Sequence, residues 1–85
     1  MTVTATIKRI TEKGRYRRVH FTAEDGTHCL TDLVPTFRNY QRWEPLLEVG
    51  NKLTNLVLMD TGKIDGDSHP ELVQPEPDPQ MEFEL

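Results

Sequence analysis

The chain has little of what disulfide bonding, membrane spanning or secretion requires. Cys29 is the single cysteine among 85 residues, so no disulfide can form within the chain. No apolar run approaches the roughly 20 residues of a membrane span, and the first ten residues lack the apolar stretch of a signal peptide. We therefore expect a cytoplasmic protein that does not bind membranes and forms at most one domain.

Signatures of catalysis and metal binding are also missing. The sequence contains no glycine-rich phosphate loop, zinc-ligand spacing or nucleophile elbow. Residues 60–69 are rich in Asp, but they lack the spacing of a calcium loop, and turn formation explains them better. His28 and Cys29 are neighbours on a predicted strand and point to opposite faces, so Cys29 is interpreted as a core residue. We expect no enzymatic activity, no metal and no cofactor.

Charge is distributed unevenly along the chain. Residues 1–43 carry eight Lys and Arg against four Asp and Glu, whereas residues 44–70 carry two against five. Residues 71–85 carry five acidic side chains and no basic one. A basic first half and an acidic end are typical of a polyanion-binding surface joined to an acidic arm.

Alternating apolar residues predict two strands at the start of the chain. Val3, Ala5 and Ile7 alternate with polar side chains, which is the period of a half-buried strand. A turn at residues 13–14 leads to a second predicted strand over residues 16–21.

A hairpin signal follows the second strand. Glu24-Asp25-Gly26 favours a tight turn, because Asp-Gly tolerates positive φ. The third strand is predicted over residues 27–34. Its register stays open: a two-residue loop pairs Phe21 with Leu30, and a three-residue loop pairs it with Cys29.

The hydrophobic period then changes to that of a helix. Between residues 35 and 47, apolar side chains recur every three to four positions, at Phe37, Tyr40, Trp43 and Leu47. We expect Thr36 to cap this helix and Pro45 to end it at about residue 43 or 44. The aromatic row is interpreted mainly as core, packed on a sheet.

The remaining segments complete a small β-rich fold. Residues 53–59 predict a fourth strand, residues 63–65 a short fifth strand, and residues 71–73 a last pairing segment. The order is strand, strand, strand, helix, strand, strand, which predicts an all-β, five-stranded, OB-like Greek-key barrel with one short helix. The predicted barrel covers residues 1–73, and residues 74–85 form a proline-rich acidic tail that is expected to be disordered.

The most suggestive segment for function is the basic run that begins at residue 13. Proteins bind single-stranded nucleic acid through two kinds of side chain. Cationic side chains contact the phosphates, and aromatic rings stack on the unpaired bases. Strand alternation places Tyr16, Arg18 and His20 on one face, opposite the core pair Val19 and Phe21. The candidate nucleic-acid-binding residues are Lys13, Arg15, Tyr16, Arg17, Arg18, His20, Arg38 and Arg42.

The barrel pattern, the basic strand and the acidic tail together resemble single-stranded DNA-binding proteins of bacterial and phage type. The resemblance implies that the barrel holds the DNA and that the tail recruits a replication, repair or host protein and competes with DNA for the groove. The implied partner-binding tip is Met81, Glu82, Phe83, Glu84 and Leu85. Its Glu-Phe-Glu-Leu ending departs from the usual Pro-Phe ending of the bacterial tips.

A protein-binding role is the alternative. In this hypothesis the chain is a small phage-type adaptor or inhibitor of a host or defence enzyme. Exposed aromatic residues act as interface anchors, so Phe37, Tyr40 and Trp43, or the tail, would contact the partner. The sequence does not decide between DNA and RNA.

Overall fold

The computed structural model describes residues 1–74, so the predicted tail tip at residues 81–85 lies outside the described residues. Within residues 1–74, five antiparallel strands form one sheet in the order β3-β2-β1-β4-β5. The elements are β1 (Thr2–Lys13), β2 (Tyr16–Ala23), β3 (His28–Leu33), α1 (Tyr40–Trp43), a 3₁₀ turn (Glu44–Leu46), β4 (Lys52–Val57) and β5 (Glu71–Leu72). The β-rich class with a short helix is therefore confirmed.

The first hairpin is longer than the alternation predicted. Its turn lies at the expected place, with Gly14 at φ +62°, a conformation that glycine adopts without steric cost. A bulge at Lys8 explains the extra length: Ile7 pairs with Phe21, but Arg9 pairs with His20. The inserted residue returns the next apolar side chain of β1 to the core face and turns Arg9 outward.

The second hairpin adopts one of the two registers left open. Phe21 pairs with Cys29, and Gly26 takes φ +89° in the loop. The Asp25 Oδ1 atom accepts the Thr27 amide at 2.9 Å, as turn aspartates commonly do. The three-residue alternative is thus the correct one.

The helix is shorter than predicted and starts later. Residues 35–39 form turns, and α1 begins at Tyr40, so the predicted cap at Thr36 is wrong. Asn39 occupies the N-cap position without a side-chain capping bond. The end was predicted correctly, because Pro45 stands in the first turn of the 3₁₀ segment that follows Trp43.

One core joins the helix to the sheet. The buried hydrophobic residues are Ala5, Ile7, Val19, Phe21, Cys29, Leu33, Tyr40, Trp43, Leu53, Leu56 and Ile64. Trp43 is fully buried, and its indole Nε1 donates to the Gly66 carbonyl at 2.9 Å. The centroids of the Phe21 and Trp43 rings lie 6.4 Å apart. This packing holds a helix of four residues that would not form alone.

The fifth strand of the sheet differs from the predicted one. Residues 63–65 do not form a strand; Lys63 and Ile64 make isolated bridges to Leu30 and Leu58. The segment Glu71–Leu72 pairs with β4 instead, and the Val73 amide donates to the Lys52 carbonyl at 2.8 Å. The prediction of a last pairing segment there is confirmed.

Within residues 1–74, no helix has the length and apolar character to cross a membrane.

Candidate nucleic-acid interface

The outer face of β2 carries Tyr16, Arg18 and His20, as strand alternation predicted. Val19 and Phe21 point the other way and are buried. Across the sheet, Arg9 is paired with His20, and Asp32 is paired with Arg18. The sequence therefore located this face correctly, but it did not reveal what each side chain contacts.

Arg18 is engaged by the strand beside it. Its Nε atom lies 2.8 Å from Asp32 Oδ1, and its second terminal nitrogen lies 3.2 Å from Oδ2. Lys63 Nζ approaches the same carboxylate at 3.6 Å, and the hydrogen bond from Arg18 lowers the pKa of Asp32. The guanidinium also lies 5.8 Å from the centre of the Tyr16 ring. Much of the Arg18 charge is thus compensated within the fold.

His20 is largely enclosed, with 9% of its surface exposed. Its Nδ1 atom lies 3.5 Å from His28 Nε2. Burial lowers the pKa of His20, and the neighbouring positive charges of Arg9, Arg18 and Lys13 lower it further. His20 is therefore a neutral, packed member of this face at pH 7.

Arg17 lies on the opposite face from its neighbours. One of its terminal nitrogens donates to the Tyr40 hydroxyl at 2.9 Å, and its Nε atom is 3.9 Å from Glu12. Arg17 thereby connects the start of β2 to α1, so the structure does not bring it together with Tyr16 and Arg18.

Six other cations have no ion-pair partner among residues 1–74 and are exposed: Lys8, Arg9, Lys13, Arg15, Arg38 and Arg42. The β1–β2 turn and the end of β3 lie at the same end of the sheet, because β2 is antiparallel to both strands. Four of the six cations lie in that turn or in the segment after β3. We call this surface, made of Lys13, Arg15, Arg38 and Arg42, the basic end.

Phe37 lies beside the two arginines of the helical segment. It is 61% exposed and lines a groove of about 330 Å³ with Arg38, Asn39, Arg42 and Asp67. The Asn39 amide nitrogen donates to the Gly66 carbonyl at 2.8 Å and to Asp67 Oδ1 at 3.0 Å. The prediction of an aromatic core row holds for Tyr40 and Trp43 but not for Phe37, which precedes the helix.

The opposite end of the sheet has a different surface. A groove of about 470 Å³ lies there, lined by apolar side chains that include Met1, Val3, Ala23, Cys29 and Leu58. Burial raises the pKa of the Cys29 thiol, as expected for a small core residue. We call this groove, with the hairpin acids Glu24 and Asp25 on its lining, the apolar end.

The Asp-rich loop has an internal structural use. Asp65 Oδ1 accepts the Asp67 amide at 2.9 Å. Ser68 accepts the Val57 amide at 2.9 Å and donates to the Asp65 carbonyl at 2.6 Å. These hydrogen bonds connect the loop to β4 and agree with the interpretation of residues 60–69 as turn-forming.

No protein family, curated protein sequence or solved structure gives a significant match to this chain. The function therefore has to be inferred from its own residues.

Proposed function

We propose that the chain is a nucleic-acid-binding module, and specifically that it binds single-stranded DNA without sequence preference. The observation that carries this proposal is the set of six exposed Lys and Arg residues that have no acidic partner within residues 1–74. In a chain with a net charge of −4, four of these cations gathered at one end of the sheet are a surface for a polyanion.

An OB-like Greek-key barrel is part of the proposal. The Ile64 amide donates to the Leu30 carbonyl at 2.7 Å, and the Met59 amide donates to the Lys63 carbonyl at 2.8 Å. Residues 63–64 thus connect the β3 edge of the sheet to the end of β4. These bonds favour closure of the sheet, and the β2–β3 face of such a barrel is where OB folds bind oligonucleotides.

The proposed mechanism combines charge neutralisation with stacking. Arg9, Lys13 and Arg15 would contact successive phosphates along β1 and its turn. The ring of Tyr16, already oriented by Arg18 at 5.8 Å, would stack on a base. Arg18 and His20 would shape this face rather than supply free charge, since both have partners within the sheet.

The acidic tail belongs to the same proposal as a partner-recruiting arm. Residues 75–85 hold four carboxylates and no basic side chain. We propose that residues 81–85 bind a replication, repair or host protein and that the carboxylates compete with DNA for the basic end.

Fluorescence anisotropy with labelled oligothymidylate tests the proposed function. The probe should have about 15 nucleotides, within the site size of one OB fold. We expect saturable binding at low salt that weakens as salt is raised, and weaker binding to a duplex of equal length. Absence of binding at low salt, both for the full chain and for residues 1–73, would overturn the proposal.

Protein binding is the second candidate, and the apolar end is the observation that favours it. Its groove exposes apolar side chains, and an exposed apolar surface is typical of a protein-interaction site. Tyr40 and Trp43 are buried and do not form the partner surface. Isolation of one stoichiometric partner by a chain without DNA affinity would favour this candidate.

A further inference from the structure

We infer that Phe37 is a base-stacking platform and that Arg38 and Arg42 hold the phosphates beside it. The inference rests on the proposed function and extends it, because it places a second contact for the nucleic acid on the segment after β3. The ligand class is an unpaired nucleotide of a single strand.

The backbone around Phe37 is held in place although its ring is exposed. The Phe37 amide donates to the Val34 carbonyl at 2.9 Å, and the Tyr40 amide donates to the Phe37 carbonyl at 3.1 Å. Three positions further on, Tyr40 is buried against the core, whereas the Phe37 ring is 61% exposed. A ring on a fixed backbone needs little ordering before it stacks, so less binding free energy is lost.

The charges around the ring favour an anionic ligand. Arg38 and Arg42 are exposed and have no ion-pair partner among the described residues. Asp67 is the carboxylate on this groove, and the Asn39 amide holds it at 3.0 Å. The two positive charges of the arginines exceed the single negative charge of Asp67. An aromatic ring beside arginines is the combination of side chains that binds single-stranded nucleic acid.

Hydrogen bonds connect the groove residue Asn39 to the loop at residues 66–67. Gly66 accepts hydrogen bonds from both Asn39 (2.8 Å) and Trp43 (2.9 Å). Trp43 is in the core, so the Gly66 carbonyl connects Asn39, on the lining of the groove, to a core residue.

The groove lies at the end of the sheet that carries the β1–β2 turn, on the side where α1 packs. Arg17 at the start of β2 donates to the Tyr40 hydroxyl at 2.9 Å, which connects the base of the β1–β2 hairpin to α1. The β1–β2 turn and the helical segment lie at the same end of the sheet. A strand that contacts Lys13 and Arg15 would have Phe37 as a further contact at the same end of the sheet.

The test compares two oligonucleotide probes on the full-length chain. One is oligothymidylate of about 15 nucleotides, and the other is a matched oligomer whose central residues are abasic. Phe37→Ala should weaken oligothymidylate binding by about fivefold or more, since stacking on one aromatic ring contributes on the order of 1–3 kcal/mol. Phe37→Tyr keeps the ring and should bind as the wild type does. The abasic probe should bind the wild type and Phe37→Ala equally.

Val49→Ala is the matched control, because Val49 is an apolar side chain of similar exposure, at 60%, outside the groove. A second readout uses Phe37→Trp: the added indole should emit as an exposed tryptophan and be quenched by oligothymidylate, while the buried Trp43 is not.

The outcomes separate this inference from the proposed function. If the wild type binds and Phe37→Ala behaves like Val49→Ala, stacking at Phe37 is wrong and the proposed function stands. An equal loss on the abasic probe also overturns the stacking role. If the wild type does not bind oligothymidylate, both the proposed function and this inference fail.

Discussion

The two ends of the sheet differ in whether their charged side chains have partners within the fold. At the apolar end, Glu24 is paired with Lys52 at 2.8 Å, and Asp25 is occupied by the hairpin amide of Thr27. At the basic end, Arg15 and Arg42 have no acidic partner within residues 1–74. Within residues 1–74, the acids of the apolar end thus have partners in the fold, whereas four exposed cations without an acidic partner lie at the basic end.

The same distinction divides the basic run itself. Arg17 bonds to Tyr40 and Arg18 to Asp32, so both serve the fold. Arg15, two residues earlier, is in the turn and is exposed. Neighbouring arginines therefore differ in their contacts within the fold, and substitutions should separate them.

The largest expected effect is on stability and follows from substitution of Trp43, the buried tryptophan of α1. Trp43→Ala should lower the free energy of unfolding by about 3–5 kcal/mol, because it leaves a cavity and removes the bond to Gly66. Urea denaturation followed by circular dichroism measures the loss. Met59→Ala near the apolar end, where Met59 is exposed, should change stability by less than about 0.5 kcal/mol.

A loss of this size is comparable to the whole stability of a small domain, so Trp43→Phe provides a milder version. It keeps a buried ring and removes the indole donor, with an expected cost of about 1–2 kcal/mol. Equal stability of Trp43→Ala and the wild type would contradict the assignment of α1 to the core.

The next effect is on binding and compares the two ends directly. A basic-end triple variant, Arg15→Gln, Arg38→Gln and Arg42→Gln, removes three positive charges. Loss of three phosphate contacts should weaken oligothymidylate binding about 100-fold at about 0.1 M salt, from a single-strand slope of about −0.7 per contact.

The control is an apolar-end triple variant with the same change in net charge: Thr2→Glu, Met59→Glu and Thr61→Glu. These three residues are exposed. Anisotropy titrations should show nearly wild-type binding. A comparable loss in both triples would mean that net charge, not the basic end, determines binding.

Removal of the tail should give a smaller effect of opposite sign. Residues 74–85 hold four acidic residues, so cutting after Val73 changes the net charge from −4 to 0. The last described pairing, from the Val73 amide to the Lys52 carbonyl, is retained. We expect binding to tighten about three- to tenfold at low salt, with an unchanged urea midpoint.

A full-length variant separates the effect of tail charge from the effect of tail length. In this variant four carboxylates are changed to amides: Glu76, Asp78, Glu82 and Glu84. It should tighten binding as the truncation does. A truncation that unfolds the chain, or that weakens binding, would contradict the proposed competition.

The smallest effect is the pH dependence of stability at His20. Its pKa is lowered in the folded chain, so the unfolded chain binds more protons below the ordinary value of 6.5. Its stabilising contribution is therefore present above that pH and is lost as the pH falls through the folded pKa. Urea unfolding at about pH 7.5 and about pH 5.5 should show this loss, and His20→Gln should reduce it.

Asp32 does not obscure that measurement. Its pKa is also lowered from an ordinary value of 3.8, so its contribution is lost at more acidic pH than that of His20. The same slope in the wild type and in His20→Gln would show that burial of His20 does not determine the pH dependence.

Local patterns predicted the parts of the fold that depend on neighbours in sequence. The hairpin at Gly26, the end of the helix at Pro45 and the burial of Trp43 all follow from turn chemistry and hydrophobic period. The length of β1 was missed because the bulge at Lys8 interrupts its alternation. The three-residue spacing of Ile7 and Ile10 was the available signal.

Contacts between distant segments were not predictable from these patterns. Asp32 neutralises Arg18 from 14 positions away, and residues 63–64 form bridges where a strand was expected. Phe37 has the helical spacing of a core residue, but the helix starts after it, so its ring is exposed. Pairing between distant segments decided which cations have an acidic partner within residues 1–74, and local sequence patterns do not contain that information.

The most direct test of the central claim is the salt dependence of oligothymidylate binding by the full-length chain and by the basic-end triple variant. Affinity should be measured between about 50 and about 200 mM salt, where phosphate contacts determine the slope of log K against log salt. If the basic end holds the phosphates, the variant's slope will be shallower than the wild-type slope by about 2. Parallel slopes, or a wild-type affinity that does not change with salt, would contradict the account.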